Sequence, residues 1–233
     1  MQNAGYLQEI KDRVESILRP RTVLRDGRPV TEGMDITTAR AELKQVLRSI
    51  GYQPGEQAGT IQDLGSDRRL ELQLKTNVES AQGYGNFLQG QAAGAIDAFP
   101  PQELFRAEDR EEPRNWPTRW MQAGGQIFNG RMIALKSDPI WEAISAFGTP
   151  WPPFDFNSGM WVRDIPRSEA IALGLLDANE TIEPVVEKLN AKLEASVKNL
   201  APELQRALKQ SFGDKIVIED GLARWRGQTG TAA

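Results

Sequence analysis

The chain has 233 residues and a formal net charge of −4. This charge argues against a protein whose main role is to wrap nucleic acid, because such binding needs a basic surface that releases counterions. Cys and His are both absent, which excludes disulfides, thiolate nucleophiles, Cys-based metal sites and catalysis by Ser-His-Asp or Cys-His sets. An enzyme built on this sequence would have to use Asp, Glu, Lys, Arg, Tyr or Ser.

The first 20 residues predict a short helix. Apolar residues recur at helical spacing from Tyr6 to Leu18, and Pro20 marks the point where the helix should stop. The segment has no basic region followed by an apolar run, and nowhere does the chain approach 18 consecutive apolar residues. We therefore expect an unexported protein with no membrane partner.

Two more helices are predicted before residue 100. The first follows a connection that contains Gly, Pro and Arg, begins near the N-cap candidates Thr37 and Thr38, and ends at Gly51. After a loop with several Gly residues, the second begins with Ser66 as its N-cap and keeps helical spacing as far as Phe99.

Glycines interrupt the second of these helices at positions 83, 85, 90 and 94. Each costs about 1 kcal/mol relative to Ala in a helix interior. Two explanations fit this pattern: another element approaches the helix closely, or the helix breaks near Gly83 to Gly85.

The next segment is rich in charge, with five acidic residues and three Arg between Glu103 and Arg114. Such runs usually form a solvated face or loop, and we interpret this one in that way. Further along, Asn129 and Gly130 lie between two short apolar runs and predict a β-hairpin.

The stretch from 138 to 160 carries the most specific pattern in the chain. Asp138 and Pro139 fit the N-cap and first turn of a short helix that ends at Gly148. The prolines of the following "TPWPPF" forbid a helix and ladder pairing, so we predict an ordered extended loop and then a strand, "WVRDI".

Large aromatic side chains surround this loop. Five tryptophans are compatible with an aromatic ligand pocket, but we favour the interpretation that they anchor irregular backbone with little regular secondary structure to hold it. They are Trp116, Trp120, Trp141, Trp151 and Trp161. The candidate partner-binding or structural residues of the loop are Trp141, Trp151, Pro152, Pro153, Phe154, Asp155, Phe156, Asn157 and Trp161.

The loop ends in "DFNSG", residues 155–159, which partly resembles a calcium-binding loop. The remaining ligand positions and the final Glu are missing, so a metal site is not assigned. We expect an Asx-type turn instead, in which Asp155 or Asn157 accepts hydrogen bonds from backbone amides and Gly159 adopts a conformation closed to other residues. No catalytic residue or cofactor site is assigned anywhere in the chain.

The C-terminal part predicts a helix in "SEAIALGLL" and then a second long apolar stripe. From Val186 to Leu208 the apolar residues follow an 11-residue period, typical of a nearly straight helix, and Pro202 introduces a kink or a fresh helix start. A closing hairpin is predicted around Gly221. The predicted fold is α+β and predominantly helical, with a small hairpin-containing module between long flanking helices. Its predicted segments are a helical arm and linker (1–65), a core module (66–165) and a helical extension with the hairpin (166–233).

The order of motifs in the core module resembles the Mu-type minor head proteins of tailed phages and prophages, the head morphogenesis family. The motifs are "RLELQLKTNVESAQGYGNFLQGQ", "PRNWPTRWMQAGG", "GRMIALKSDPIW" and "PPFDFNSGMWV", and the resemblance covers roughly residues 66 to 165. The matching residues are Thr76, Asn77, Ala81, Gly85, Ala134, Leu135, Asp138, Pro139, Trp141, Pro152 and Pro153. Many members place a His before the Ala-Leu segment and a Cys-rich turn after the Pro-Pro pair. This chain has neither, so no metal or His-linked feature carries over.

The resemblance implies a non-enzymatic virion assembly protein made in a bacterial cytoplasm. It implies partners in the portal or the capsid scaffold and a location in the head interior or near the portal. Transient contact with DNA and self-association are compatible with that role. Two alternatives stay open: a cytoplasmic adaptor that binds through its amphipathic C-terminal helix, and an enzyme that relies on carboxylates, which would bring perturbed carboxylates together in a pocket around Asp155.

Overall fold

The computed structural model describes residues 2–25, 28–186, 194–197 and 202–225. They form a mixed α+β protein that is predominantly helical, as the sequence predicts. The chain divides into two compact units, Asp12–Val185 and a smaller unit made of Met1–Lys11 with Val186–Ala233. Both predicted segment boundaries, near 65 and 165, lie inside the larger unit. None of the helices in the described ranges is long and apolar enough to span a membrane.

Helices and strands are interspersed along the chain. The helices are α1 (Gln2–Leu18), α2 (Ile36–Ser49), α3 (Asp67–Gly90), α4 (Ala93–Ala98), α5 (Trp116–Gln122), α6 (Ile140–Ala143), α7 (Arg167–Ala172) and α8 (Pro202–Phe212). The strands are β1 (Arg21–Arg25), β2 (Arg28–Glu32), β3 (Pro101–Arg106), β4 (Ile127–Phe128), β5 (Arg131–Leu135), β6 (Met160–Asp164), β7 (Glu194–Ser196), β8 (Ile216–Glu219) and β9 (Leu222–Trp225).

The N-terminal elements confirm two predicted helices, add a hairpin and correct one detail. The helix α1 ends at Leu18, before Pro20, as expected. The connection after it, for which no element was predicted, contains the antiparallel hairpin β1–β2. The N-cap of α2 is Asp35 rather than a Thr, because Asp35 immediately precedes the first turn and its carboxylate accepts from the Thr38 amide at 2.8 Å.

The long helix α3 begins as predicted, with the Ser66 hydroxyl accepting from the Arg69 amide at 3.2 Å. It continues without a break through Gly83 and Gly85 and ends at Gly90. The close-approach explanation is confirmed at Gly83, where a Cβ would lie 1.9 Å from the carbonyl oxygen of Pro152. Any side chain at this position would push the Pro-Pro segment away from the helix.

The core of the larger unit lies beside a four-stranded antiparallel sheet with strand order β4-β5-β3-β6. The predicted hairpin at Asn129–Gly130 is confirmed as the turn between β4 and β5. Trp120 and Trp141 pack edge to face with ring centroids 5.2 Å apart. Their indole N–H groups donate to the carbonyls of Gln126 and Leu135. The buried cluster comprises Leu104, Trp116, Trp120, Ala134, Ile140, Trp141, Ile144, Phe154 and Met160.

The smaller unit contains the sheet β7-β9-β8 and the helix α8. The closing hairpin is confirmed, with its turn at Asp220–Gly221. The prediction of a continuous helix from Val186 is wrong at Glu194–Ser196, which pair with β9, because ladder hydrogen bonds from a neighbouring strand override helical spacing. Helix α8 starts afresh at Pro202. Three residues of the predicted stripe, Leu189, Leu193 and Leu200, lie outside the described residues.

Candidate functional site

The candidate site is the Pro-Pro loop, which we define as residues 149–159, between α6 and β6. The prediction of an ordered loop without regular secondary structure is confirmed. The loop has a buried half, Trp151 to Phe154, and an exposed half, Asp155 to Asn157, in which Asp155 is half-buried and the other two residues are exposed. Different forces hold the two halves.

Apolar packing and close backbone contact hold the buried half. The Trp151 ring lies against Tyr84 and Phe87 of α3, with centroids 5.0 and 5.2 Å away. The Phe154 carbonyl accepts from the Ala146 amide at 2.8 Å. The peptide bond between Pro152 and Pro153 is cis. The tryptophans at 116, 120, 141 and 151 are all fully buried, as expected of anchors for irregular backbone, and Trp161 is half-buried.

Three arginines of the charge-rich segment, together with Arg119 of α5, hold the exposed half and the buried Ser158 that follows it. The four side chains donate to four consecutive loop residues, and the two stretches of chain run in opposite directions. The contacts are Arg119 Nη1 to Asp155 Oδ2 (2.9 Å), Arg114 Nη1 to the Phe156 carbonyl (2.9 Å), Arg110 Nε to the Asn157 carbonyl (3.0 Å) and Arg106 Nη1 to the Ser158 carbonyl (3.4 Å). We call these four residues the arginine clamp. The interpretation of this segment as a solvated face or loop therefore missed its structural role.

The turn at the end of the loop confirms part of the prediction. Asp155 Oδ1 accepts from a backbone amide, as expected, but the donor is the adjacent Phe156 at 2.8 Å and not the residue two positions on that defines an Asx turn. The turn is closed instead by the Asp155 carbonyl, which accepts from the Ser158 amide. Gly159 has a φ of +65°, and a Cβ there would lie 2.5 Å from the Glu108 carbonyl oxygen. This close approach lets the Gly159 carbonyl accept from the amides of Ala107 and Glu108. The loop is thus joined to the charge-rich segment through backbone as well as side chains.

Ion pairs join the arginine clamp to α3. Glu108 Oε2 lies 2.6 Å from Arg110 Nη2 and 3.1 Å from Lys75 Nζ. Hydrogen bonds from Arg110 and Lys75 hold the pKa of the Glu108 carboxyl below its usual range. The carboxylate therefore stays ionised and orients Arg110 toward the loop.

A second acid of the charge-rich segment, Glu103, is buried in the sheet. Its Oε2 accepts from Arg131 Nη2 at 2.7 Å and from Arg163 Nε at 2.9 Å. Burial raises the pKa of Glu103, but the hydrogen bonds and charges of the two guanidiniums outweigh burial and lower it overall. The same guanidinium of Arg131 also pairs with Glu169 of α7 at 2.5 Å, which ties that helix to the sheet.

The predicted motif residues serve this scaffold in different ways. Thr76 is half-buried on α3, and the exposed Asn77 donates to the Gln73 carbonyl at 2.8 Å. Asp138 Oδ1 accepts from the Ile140 amide at 2.8 Å, but the residue at the N-cap position of α6 is Pro139, so Asp138 lies one position before the predicted cap. Pro139 is exposed at the start of α6, which ends at Ala143 and is shorter than predicted.

The outer surface of the loop presents an aromatic pair. Phe156 is 46% exposed, and its ring packs edge to face against Phe147 with centroids 4.8 Å apart. Asn157 beside it is also exposed. Arg114 and Arg110 donate to the backbone carbonyls of these two residues, so the surface combines an aromatic anchor with arginines, a composition enriched at protein interfaces.

The sequence analysis did not predict the arginine clamp. A signal was present in the spacing of the arginines at 106, 110 and 114, one every four residues, and in the loop's lack of ladder partners for its carbonyls. Among the described residues, no group of three or more Asp or Glu side chains is arranged to hold a metal ion. The Asp155 carboxylate, the centre of the enzyme alternative, is paired with Arg119.

Comparisons with known proteins found no matching family model, curated protein or solved structure. A functional proposal therefore rests on the residues and contacts of this chain.

Proposed function

We propose that this protein is a non-enzymatic minor head component of a tailed phage or prophage, which associates with the portal or procapsid. The observation that supports this most is the convergence of the motif segments. Gly83, in the motif helix, contacts Pro152 of the Pro-Pro pair. Trp141 of the Asp-Pro-x-Trp turn donates to Leu135 of the Ala-Leu segment. Segments that carry the family resemblance are thus neighbours in one scaffold.

The exposed half of the Pro-Pro loop is the proposed contact with the portal. Interface hot spots are enriched in aromatic residues and Arg, set in a well-packed surrounding. Phe156 and the arginine clamp meet that description, and the buried half fixes the loop before binding. A preorganised loop loses less conformational entropy on association than a loop that orders only when it binds.

The test is co-purification with the portal protein encoded in the same phage or prophage genome. Wild type should retain the portal through moderate salt, and Phe156→Ala should lower retention at least tenfold. Ile171→Ala is the matched control, because Ile171 is an exposed apolar residue of α7, away from the loop sequence. It should bind like wild type.

Two outcomes would contradict the proposal at different levels. If folded wild type does not retain the portal, the minor head assignment is wrong. If wild type binds and Phe156→Ala binds equally well, the assignment stands but the loop is not the contact.

A further inference from the structure

A recess of about 760 Å³ lies beside the exposed half of the Pro-Pro loop. It is lined by Asn157 of the loop, by residues 60–62 before α3, and by four residues of α3 itself. The helix residues are Arg68, Glu71, Leu72 and Lys75. Their spacing of three and four positions places them on one face of α3, over about 10 Å of its length. Through Asn157, the recess and the exposed half of the loop form one continuous surface.

The lining combines apolar and polar side chains. Ile61 and Leu72 are half-buried, whereas Gln62, Arg68 and Glu71 are exposed. Apolar side chains with exposed polar neighbours are typical of surfaces that bind another protein. The chemistry of the occupant then depends on which polar groups are still available.

The acid of the lining and one of its two cations are already paired within the chain. Glu71 Oε2 lies 2.9 Å from Arg40 Nη1. Lys75 Nζ lies 3.1 Å from Glu108 Oε2 and 3.6 Å from Glu79 Oε1. These charges are therefore largely neutralised before any partner arrives.

Arg68 is the other cation of the lining. It is exposed, and among the described residues no ion pair or hydrogen bond is found for its side chain. It lies in the first turn of α3, where a positive charge opposes the helix macrodipole, so this position does not stabilise the charge. The guanidinium keeps its five N–H donors in a planar fork that matches the two oxygens of a carboxylate.

We propose that the recess receives an acidic side chain of a partner protein, with Arg68 as its counterion. An apolar neighbour of that acidic residue packs on Ile61 and Leu72. The partner is the portal or procapsid component of the proposed function, on which this inference rests, and the recess adds the chemistry of the partner's surface. A bidentate pair between Arg and a carboxylate fixes the orientation of the two proteins as well as attracting them.

A protein carboxylate fits this recess better than nucleic acid does. Nucleic-acid binding needs several cations along the phosphate backbone. In the part of the chain that the structure describes, the lining offers one cation without a partner. The adjoining charge-rich segment carries exposed acids at 109, 111 and 112, which repel phosphates. A single carboxylate needs a single counterion, and Arg68 supplies it.

The test measures binding of the purified portal protein encoded in the same genome to the full chain. Arg68→Gln should weaken binding about tenfold, and Arg68→Glu should weaken it further, because the reversed charge repels the carboxylate. Arg68→Lys keeps the charge without the fork and should lie between wild type and Arg68→Gln. The free energy of unfolding of Arg68→Gln should equal that of wild type, which separates a lost contact from a lost fold.

The matched control is Arg48→Gln. Arg48 is likewise exposed, but it belongs to α2 and does not line the recess. This variant should bind like wild type. It should also keep the wild-type salt dependence, whereas binding of Arg68→Gln should fall less steeply with salt, since the screened ion pair is missing.

A crosslinking experiment identifies the occupant directly. The chain has no Cys, so Gln62→Cys places a single thiol in the lining for a photo-crosslinker and leaves Arg68 in place. The labelled portal segment should contain Asp or Glu next to an apolar residue. Arg48→Cys, labelled in the same way, should not crosslink to that segment.

The outcomes distinguish this inference from the proposed function. If folded wild type does not bind the portal, both are wrong. If wild type binds and Arg68→Gln binds equally well, the proposed function stands and the recess is not part of the contact. A labelled segment without Asp or Glu, Arg68-dependent competition by short duplex DNA, or self-association that Arg68→Gln abolishes would assign the recess to another occupant and overturn the inference.

Discussion

The two halves of the Pro-Pro loop are adjacent in sequence and are stabilised by opposite kinds of interaction. Trp151 to Phe154 are buried against α3 and the tryptophan cluster, and their stabilisation comes from apolar burial and dispersion. Asp155 to Asn157 lie at the surface and depend on hydrogen bonds from arginines. Apolar burial is largely insensitive to salt, whereas exposed charged contacts are screened and contribute little each.

This contrast separates folding from recognition. Substitutions in the buried half should lower the free energy of unfolding. They should affect partner binding only because less of the protein is folded. Substitutions in the exposed half should leave the fold nearly intact and act on binding directly. Buried residues such as Trp151 are therefore scaffold, and Phe156 is the side chain available to a partner.

The largest effect is expected for Trp151→Ala. Removing a fully buried indole leaves a cavity against Tyr84 and Phe87, and such changes cost about 3–5 kcal/mol. Urea unfolding followed by circular dichroism measures the loss. Trp161→Ala is the control, because Trp161 is only half-buried and should cost clearly less. Equal losses for the two variants would contradict the scaffold role of Trp151.

A pair of glycines tests the contact between α3 and the loop. Gly83→Ala places a methyl group 1.9 Å from the Pro152 carbonyl oxygen, and the resulting overpacking should destabilise the fold by about 1–3 kcal/mol. Gly85 is also inside α3, but a Cβ there meets no atom within 4 Å. Gly85→Ala should therefore raise stability by up to about 1 kcal/mol, through helix propensity alone. If Gly83→Ala and Gly85→Ala change the free energy of unfolding in the same direction, the close-approach explanation is wrong.

Sequence reasoning identified the elements of the larger unit better than their contacts. The N-cap at Ser66, the hairpin at Asn129–Gly130 and the ordered loop all followed from local rules of capping, turn formation and proline geometry. The glycine pattern also offered close approach of another element as one of two explanations, and the contact at Gly83 confirms it. The pattern could not name Pro152 as the partner, because the two residues are far apart in the chain and periodicity carries no information on tertiary pairing.

The wrong predictions also arise from contacts between residues that are far apart in the sequence. Acidic and basic residues between 103 and 114 look alike in sequence whether they face solvent or a buried partner, so the burial of Glu103 and the arginine clamp were both missed. In the smaller unit, helical spacing near residue 195 was overridden by pairing with β9. Non-local hydrogen bonds decided each case, and the candidate site is composed mainly of such bonds.

A smaller and pH-dependent loss in the free energy of unfolding is expected when Glu103 is replaced. Because the pKa of Glu103 is lowered from its ordinary value of 4.5, the folded state gains stability from the ionised carboxylate above that pH and loses it as the pH falls below. At pH 7, Glu103→Gln should cost about 1–3 kcal/mol, since two charge-assisted hydrogen bonds are weakened. Denaturant unfolding of both proteins at pH 7 and pH 3 measures the difference, which should shrink at pH 3. A difference that stays constant would contradict the role of the charge.

The smallest loss of stability is expected when the arginine contacts to the exposed half of the loop are removed. Replacing Arg110 and Arg114 by Gln removes donors to the carbonyls of Asn157 and Phe156. Because these contacts are exposed, the free energy of unfolding should fall by about 1 kcal/mol or less. Limited proteolysis should nevertheless cut the loop several times faster, since local opening no longer has to break the clamp.

The matched control replaces Arg28 and Arg48 by Gln, which changes the net charge equally at two exposed positions of β2 and α2, outside the loop and the clamp. This variant should be cut at the wild-type rate. A clamp variant that loses as much stability as Trp151→Ala would mean that the loop unfolds as one unit. Fast cleavage combined with near-native stability would instead show that the buried half holds the fold while the exposed half remains free to meet a partner.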